Sequence, residues 1–234
     1  MAARAMPGTE KEPAARRGAG RPRTAVLSRE RIVDAALDLI DEVGAETFSV
    51  NLLAARLGVR PSSLYNHIAG KDDLLAAVQE VITDAIDSTM FETQPWADAV
   101  SAWARSYRSA FIGHPHAIPL FATSPVAGAI RTMEMYERVV RGFDRAGWPL
   151  PQIIPAIVAL ECFILGSAMD AVAPPGLFHP GDAAEHVPTL ASAFAAQDRG
   201  EGPHAESDIA FETGLAAMIS GLATADRDRP VTAE

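Results

Sequence analysis

Residues 47–71 read TFSVNLLAARLGVRPSSLYNHIAGK, and this stretch decides the fold. Two short helical patterns within it are separated by a tight turn at Gly58 and Val59. Ser49 suits the N-cap of the first helix, and Pro61 suits the first position of the second, where a missing N–H leaves no partner unpaired. The spacing predicts a helix-turn-helix, a motif whose second helix enters the major groove of DNA.

Helical periodicity continues on both sides of this stretch, and 48% of the 234 residues are hydrophobic but only 6% aromatic. We therefore expect an all-α fold. The predicted helices cover 29–43 (capped by Ser28), 49–57, 61–67, 72–90, 96–113, 125–146, 151–172, 187–197 and 206–224, with a shorter one near 117–123. Pro155 requires that its helix either begins near Ile154 or is kinked.

The helices predict two domains between two tails. Residues 1–27 are expected to be a disordered basic arm, 28–73 a helix-turn-helix DNA-binding domain, 74–225 a second helical domain, and 226–234 a disordered tail. The formal charge of −10 is uneven, because residues 1–71 hold 11 Lys and Arg against 8 Asp and Glu. The remaining residues hold 9 against 22. Only the N-terminal third can attract phosphates.

The N-terminal arm contains Arg21 and Arg23 on either side of a proline. An extended Arg-Pro-Arg segment is narrow enough for its guanidinium groups to enter an A·T-rich minor groove. The alternative is a solubilising tail that contacts only phosphates.

The chain has a single cysteine, Cys162, so a disulfide framework or a cysteine-based zinc site within it is excluded. We found no signal-peptide pattern and no apolar run of about 18 residues, the length that suggests a membrane span. The sequence therefore predicts a cytoplasmic protein with no membrane partner.

Residues 28–90 resemble the N-terminal domain of the TetR family of bacterial transcriptional regulators. The resemblance rests on Val43-Gly44, Leu53-Ala54, Leu57-Gly58-Val59, Leu64-Tyr65, His67 and Lys71-Asp72-Asp73-Leu74-Leu75. The second domain is similar to that of the tetracycline repressor subgroup, at Trp96, Ala104 to Phe111, Thr123-Ser124-Pro125, Gly142-Phe143, Gly147-Trp148, Leu165-Gly166 and Phe211 to Leu222.

The resemblance implies a homodimer joined through helices near 151–172 and 206–224. Two stripes of the sequence support this interface: Ala210, Gly214, Ala217 and Gly221 on one helix, and Ala159, Phe163, Gly166 and Asp170 on the other. Small residues let a second helix approach closely. The alternative is ordinary intrachain core, which patterning alone does not separate from an interface.

The resemblance also assigns the residues that face DNA, and their chemistry is suitable. Arg60 can pair with guanine, Asn51 or Asn66 with adenine, and Ser62 or Ser63 with a base or a phosphate. Phosphate positioning falls to Ser49, Tyr65, His67 and Lys71. The predicted DNA-binding residues are Ser49, Asn51, Arg60, Pro61, Ser62, Ser63, Tyr65, Asn66, His67 and Lys71, with Arg21 and Arg23.

The resemblance further implies that residues 74–225 form a ligand-binding and dimerisation domain with a pocket for a small-molecule inducer. The predicted ligand-binding residues are Trp103, Tyr107, Phe111, Phe121, Thr123, Tyr136, Phe163 and Asp170. Leu120 or Phe121 stands where tetracycline-binding members have a magnesium-coordinating His, so magnesium-tetracycline is not the expected inducer. His114 and His116 are the residual candidates for a metal, but they lack further ligands at a set spacing; we predict no metal and no cofactor.

The sequence thus predicts a ligand-responsive homodimeric repressor that binds a palindromic operator and is released by an inducer of unknown identity. The alternative is a DNA-binding activator or architectural protein without a ligand. An enzyme is not expected, because we found no nucleophile elbow, paired carboxylate motif or phosphate loop.

Overall fold

The computed structural model describes residues 27–123, 128–197, 200, 202 and 204–224. That part of the chain contains α-helices, short 3-10 turns and no β-strand, so the predicted all-α fold is confirmed. The helices are α1 (Arg29–Val43), α2 (Val50–Leu57), α3 (Pro61–Leu64), α4 (Lys71–Thr83), α5 (Met90–Thr93), α6 (Trp96–Gly113), α7 (Ile118–Thr123), α8 (Ile130–Arg145), α9 (Leu150–Ala171), α10 (Pro188–Ala196) and α11 (Ala205–Thr224). The predicted arm and tail, with Arg21 and Arg23, lie outside the described residues.

The first helices begin and end where their caps require. The Ser28 Oγ accepts a hydrogen bond from the Arg31 N–H at 3.3 Å, and Gly44 ends α1 with φ at 82°. Such a positive φ favours glycine, because a Cβ would be strained there. α1, α2, α3 and α4 enclose a small core in which Ile32, Ile40, Leu53, Leu64 and Leu74 are fully buried.

Two helices end earlier than predicted. The recognition helix α3 stops at Leu64 instead of residue 67. The Leu64 carbonyl accepts hydrogen bonds from both the His67 and the Ile68 N–H groups, so the chain tightens into a turn that buries Ile68. Helix α4 stops at Thr83 instead of near Met90. There the Asp87 side chain accepts from the Thr89 N–H and hydroxyl, a local pairing that competes with helix.

Helix α9 begins at Leu150 and runs through Pro155, so the alternative of a start near Ile154 is excluded. It also corrects the membrane argument, because its length and mean hydropathy of 1.8 meet the criterion for a membrane-spanning helix. Glu161 and Ser167 interrupt the apolar residues of α9, so the helix contains no uninterrupted apolar run of about 18 residues. Both form hydrogen bonds to other helices, as expected of a helix that packs within a protein.

The second domain is built around α6. Its inward side chains Trp103, Tyr107 and Phe111 are at most 2% exposed, and α6 contacts α4, α5, α8, α9 and α11. Its C-terminal end reaches back to α1. Helix α6 therefore connects the candidate ligand site to the helix-turn-helix.

Candidate DNA-reading and ligand sites

The helix-turn-helix is built by local interactions. The Ser49 Oγ accepts from the Leu52 N–H at 3.3 Å, which caps α2. Gly58 adopts φ 67° in the turn, and Pro61 occupies the first turn of α3. Arg60 stands at the N-cap of α3 without a side-chain cap bond, because a guanidinium cannot accept from an N–H.

The predicted DNA-contacting side chains are available to a partner. Asn51, Arg60, Pro61, Ser62, Tyr65, Asn66, His67 and Lys71 are exposed, and Ser49 and Ser63 are partly buried. Tyr65 is a large aromatic residue with 54% of its surface exposed, which packing does not explain. Ser49 already uses its hydroxyl as a cap, so its first role is structural.

A clamp of Arg29 and Asp73 holds the turn after α3 against α1 and α4. The Arg29 guanidinium donates to both Asp73 carboxylate oxygens at 2.7 and 2.8 Å, and also to the His67 carbonyl at 3.1 Å. Asp73 accepts a further bond from the Ala69 N–H at 2.8 Å. The Arg29 hydrogen bonds lower the pKa of the Asp73 carboxyl from 3.8 to about 2. Sequence reasoning treated Asp73 only as a helix N-terminal charge and missed this clamp.

The first residues of α8 are bonded to the C-terminal half of α4. The Thr83 and Thr132 hydroxyls are 2.9 Å apart in a buried hydrogen bond. The Arg131 N–H donates to Glu80 at 3.1 Å, and the Arg131 guanidinium contacts both Glu80 and Asp84. A displacement of α8 would therefore act on α4 directly.

Contacts at the end of α1 join the two domains. The His114 Nδ1 lies 2.7 Å from Asp41 Oδ2, and the His116 Nδ1 contacts the Asp41 backbone carbonyl. Both imidazole rings therefore form contacts between α1 and the residues that follow α6. Across the described residues, no group of three or more His, Cys, Asp or Glu is arranged to hold a metal ion.

Four of the predicted ligand residues form an aromatic row. Neighbouring ring centroids are 5.4 Å apart from Trp103 to Tyr107, 5.4 Å from Tyr107 to Phe111, and 4.7 Å from Phe111 to Phe121. The row follows α6 and turns onto α7. The structure thus brings these four side chains together.

Tyr107 and a fifth predicted residue, Tyr136, meet at Glu161 of α9. The Tyr107 hydroxyl donates to Glu161 Oε1 at 3.1 Å, and the Tyr136 hydroxyl donates to the same oxygen. Burial raises the pKa values of the Glu161 carboxyl and of both phenols. Sequence reasoning missed Glu161, although an isolated carboxylate inside an apolar helix was a signal.

The other three predicted ligand residues lie elsewhere. Phe163 stacks on Phe211 with ring centroids 5.5 Å apart, and Thr123 is exposed, with its hydroxyl donating to the Pro119 carbonyl at 2.7 Å. Asp170 is exposed and lines a cleft of about 420 Å³ between the end of α9, the loop with Phe178 and the start of α11. The predicted set is therefore divided between separate places.

The proposed dimer helices expose apolar side chains. On α9, Ile154, Val158 and Met169 are each about half exposed. On α11, Ala210, Ala217 and Gly221 are exposed, whereas a Cβ on Gly214 would lie 2.6 Å from the Phe163 ring of the same chain. Gly214 therefore belongs to the intrachain core.

Arg108 of α6 forms hydrogen bonds to both α9 and α11. Its guanidinium donates to Ser167 at 2.8 Å, Ser207 at 2.8 Å and Asp208 at 2.6 Å, and lies 4.8 Å from the centre of the Phe211 ring. Its side chain is only 8% exposed. This role of Arg108 was not predicted from the sequence, because its partners lie about 60 to 100 positions away.

Comparison with known proteins agrees with this architecture. Residues 32–78 match the model of bacterial regulatory proteins of the tetR family, and residues 91–225 match that of the tetracyclin repressor-like C-terminal domain. The tetracycline repressor protein class A from transposon 1721 of Escherichia coli is 30% identical over 201 residues, which cover 84% of this chain and 91% of that protein.

Two further relatives match. An HTH-type transcriptional regulator of Saccharopolyspora erythraea is 29% identical over 142 residues, but these cover only 61% of this chain and 60% of that protein. ActR of Streptomyces coelicolor, solved in complex with (S)-DNPA, has a TM-score of 0.66 and 25% identity, covering 86% of this chain and 98% of that one.

The matches span both the helix-turn-helix and the second domain, and the relatives are regulators of transcription. The expectation that the chain is not an enzyme is confirmed on that ground. The chain belongs to the TetR family of bacterial transcriptional regulators, with a C-terminal domain of the tetracycline repressor type.

Proposed function

We propose that the protein is a homodimeric repressor that binds a palindromic operator and is released by a small-molecule inducer. The observation that carries this proposal is a continuous set of contacts between the aromatic row and the recognition helix. Tyr136 lies one helical turn from Thr132 on α8, Thr132 bonds to Thr83 on α4, and α4 begins at the clamp of Asp73.

These contacts give a route for release. An inducer bound beside Tyr136 displaces α8, and α8 moves α4 through Thr132 and Arg131. Because the Arg29–Asp73 clamp ties α4 to the turn after α3, the recognition helix moves as well. Binding lowers operator affinity only if the inducer distinguishes the two arrangements of the dimer.

DNA reading is assigned to exposed groups of α2 and α3. Arg60 is assigned to guanine, and Asn51 or Asn66 to adenine. Tyr65, His67 and Lys71 position the phosphate backbone.

Dimerisation is assigned to α9 and α11, with their exposed apolar side chains facing a second copy. Burying Ile154, Val158 and Met169 there removes apolar surface from water. TetR-family regulators act as dimers, and two recognition helices related by a twofold axis read a palindrome. The domain boundaries at residues 73 and 225, and the cytoplasmic location, belong to the same proposal.

The inducer is proposed to be an organic molecule other than magnesium-tetracycline. The related ActR was solved in complex with (S)-DNPA. The aromatic row of this chain supplies the apolar and aromatic side chains that commonly line small-molecule sites. The alternative, a DNA-binding activator or architectural protein without a ligand, has less support, because a related regulator was solved with a small molecule.

Two variants test the DNA-reading assignments in a gel-shift assay at fixed salt, with duplexes selected for wild-type binding. Tyr65→Ala is expected to weaken binding to every duplex, because a phosphate contact carries no sequence information. Arg60→Ala is expected to reduce the ratio of the affinities for selected and mismatched duplexes by about tenfold or more, which is the contribution of one bidentate base contact. Exposed Glu92→Ala, in the second domain, is the control. Wild-type behaviour of both DNA-site variants would contradict the assignment.

A further inference from the structure

One oxygen of the Glu161 carboxylate accepts two hydrogen bonds, and the other accepts none from the described residues. Both tyrosine hydroxyls donate to Oε1, and no described residue donates to Oε2. An ionised carboxylate accepts up to four hydrogen bonds, so Oε2 keeps its full capacity. Glu161 therefore presents an unused acceptor beside the aromatic row.

Glu161 also lacks a counter-charge. Within the described residues no Lys, Arg or His forms an ion pair with it, whereas Arg105, Arg108 and Arg131 all pair with other carboxylates. Moving a carboxylate out of water is unfavourable unless a cation or several hydrogen bonds compensate it. Two phenol donors to one oxygen compensate this charge only in part.

The surroundings suit a cationic aromatic ligand. Tyr107 is 2% exposed, but Tyr136 and Glu161 are only partly buried, so the carboxylate and the Tyr136 side chain reach solvent where α6, α8 and α9 meet. The partly exposed ring of Tyr136 provides aromatic surface to which a cation is attracted, and the buried rings of Tyr107 and Phe111 lie on α6 behind it. A carboxylate oxygen adds a charge-assisted hydrogen bond or a direct charge contact.

We propose that Glu161, Tyr107 and Tyr136 form a recognition site for organic cations, in which the ligand supplies the positive charge that the chain withholds from Glu161. This inference rests on the proposed function in one respect, because it names the chemical class of the inducer. A purely structural role for the three residues predicts no preference between a cation and a neutral molecule of the same shape.

The test uses 1-methylquinolinium, a permanent cation, and 1-methylnaphthalene, its neutral isostere, as probes for the purified dimer at pH 8. Wild type is expected to bind the cation about tenfold or more tightly than the neutral probe in equilibrium dialysis. Glu161→Gln keeps an oxygen for the two hydroxyls but removes the charge, so it is expected to abolish this preference. Exposed Glu134→Gln, on α8, is the control and should retain it.

Equal binding of the two probes by wild type, binding of neither, or an unchanged preference in Glu161→Gln would overturn the inference. A gel-shift measurement with selected operator separates this result from the proposed function. If the cation binds with the Glu161-dependent preference but never releases DNA, the site stands and the inducer role fails. If neutral compounds release DNA equally from wild type and Glu161→Gln, the inducer role stands and the cation site fails.

Discussion

The clamp between Arg29 and Asp73 gives the most quantitative prediction, because its replacement changes stability and DNA binding together. Asp73→Asn removes the charge from a group that accepts two bonds from Arg29 and one from the Ala69 N–H. The shape of the side chain is nearly kept. The variant therefore isolates the charge of the clamp.

The size of the effect follows from the pKa of the Asp73 carboxyl, which the Arg29 hydrogen bonds lower from 3.8 to about 2. This change is equivalent to about 2.4 kcal/mol in favour of the ionised form. The side chains are 42% and 32% exposed, and solvent screening reduces the expected loss of stability to about 1 kcal/mol at pH 7. A carboxyl whose pKa is lower in the folded state stabilises above its unfolded pKa, and this contribution is lost as pH falls from about 4 towards 2.

Urea denaturation at one protein concentration measures the difference, because dimer stability depends on concentration. We expect Asp73→Asn to lower the free energy of unfolding at pH 7 by about 1 kcal/mol and to differ less from wild type at pH 3. Asp72→Asn is the matched control, since Asp72 is exposed in the same helical turn and loses only its favourable interaction with the helix dipole, about 0.3 to 1 kcal/mol. Operator affinity should fall in Asp73→Asn and stay near wild type in Asp72→Asn. Equal operator affinity in the two variants would refute the reasoning.

Two other substitutions test packing in the second domain by thermal unfolding. Gly214→Ala places a Cβ 2.6 Å from the Phe163 ring, so it should lower the free energy of unfolding by about 1 to 3 kcal/mol. The same substitution in a Phe163→Leu background should cost less. Equal losses in the two backgrounds would show that the Phe163 ring is not the obstacle. Gln79→Leu removes a 1% exposed amide whose oxygen and nitrogen have no hydrogen-bond partner among the described residues, so it should stabilise the protein by about 1 kcal/mol or more. Exposed Gln94→Leu is the control. Destabilisation by Gln79→Leu would show that the amide is hydrogen-bonded in solution.

Features set by neighbouring residues were predictable from the sequence. Ser28, Ser49, Gly44 and Gly58 act within three or four positions of themselves, and each lies where the pattern placed it. The ends of α3 and α4 were not predictable in this way. They depend on burying Ile68 and on the turn at Asp87, which helical periodicity does not report.

The ligand site was predictable only in part. The aromatic residues of α6 follow a single helical face, so their row could be anticipated. Glu161 contacts Tyr107 and Tyr136 from 54 and 25 positions away, and such a meeting depends on how three helices pack. Gly214 shows the same limit, because a small residue on a helix suits an approaching helix of either the same chain or a second one.

The central claim is that two recognition helices on a dimer read DNA from opposite half-sites. Selection of bound duplexes from a random library, with the full-length protein at fixed salt, tests it most directly. The account predicts enrichment of an inverted repeat whose two halves have a constant spacing, and recovery of the same repeat in lower yield with Tyr65→Ala, since that residue is assigned to a phosphate. Enrichment of a single unrepeated motif, or no enrichment, would contradict it.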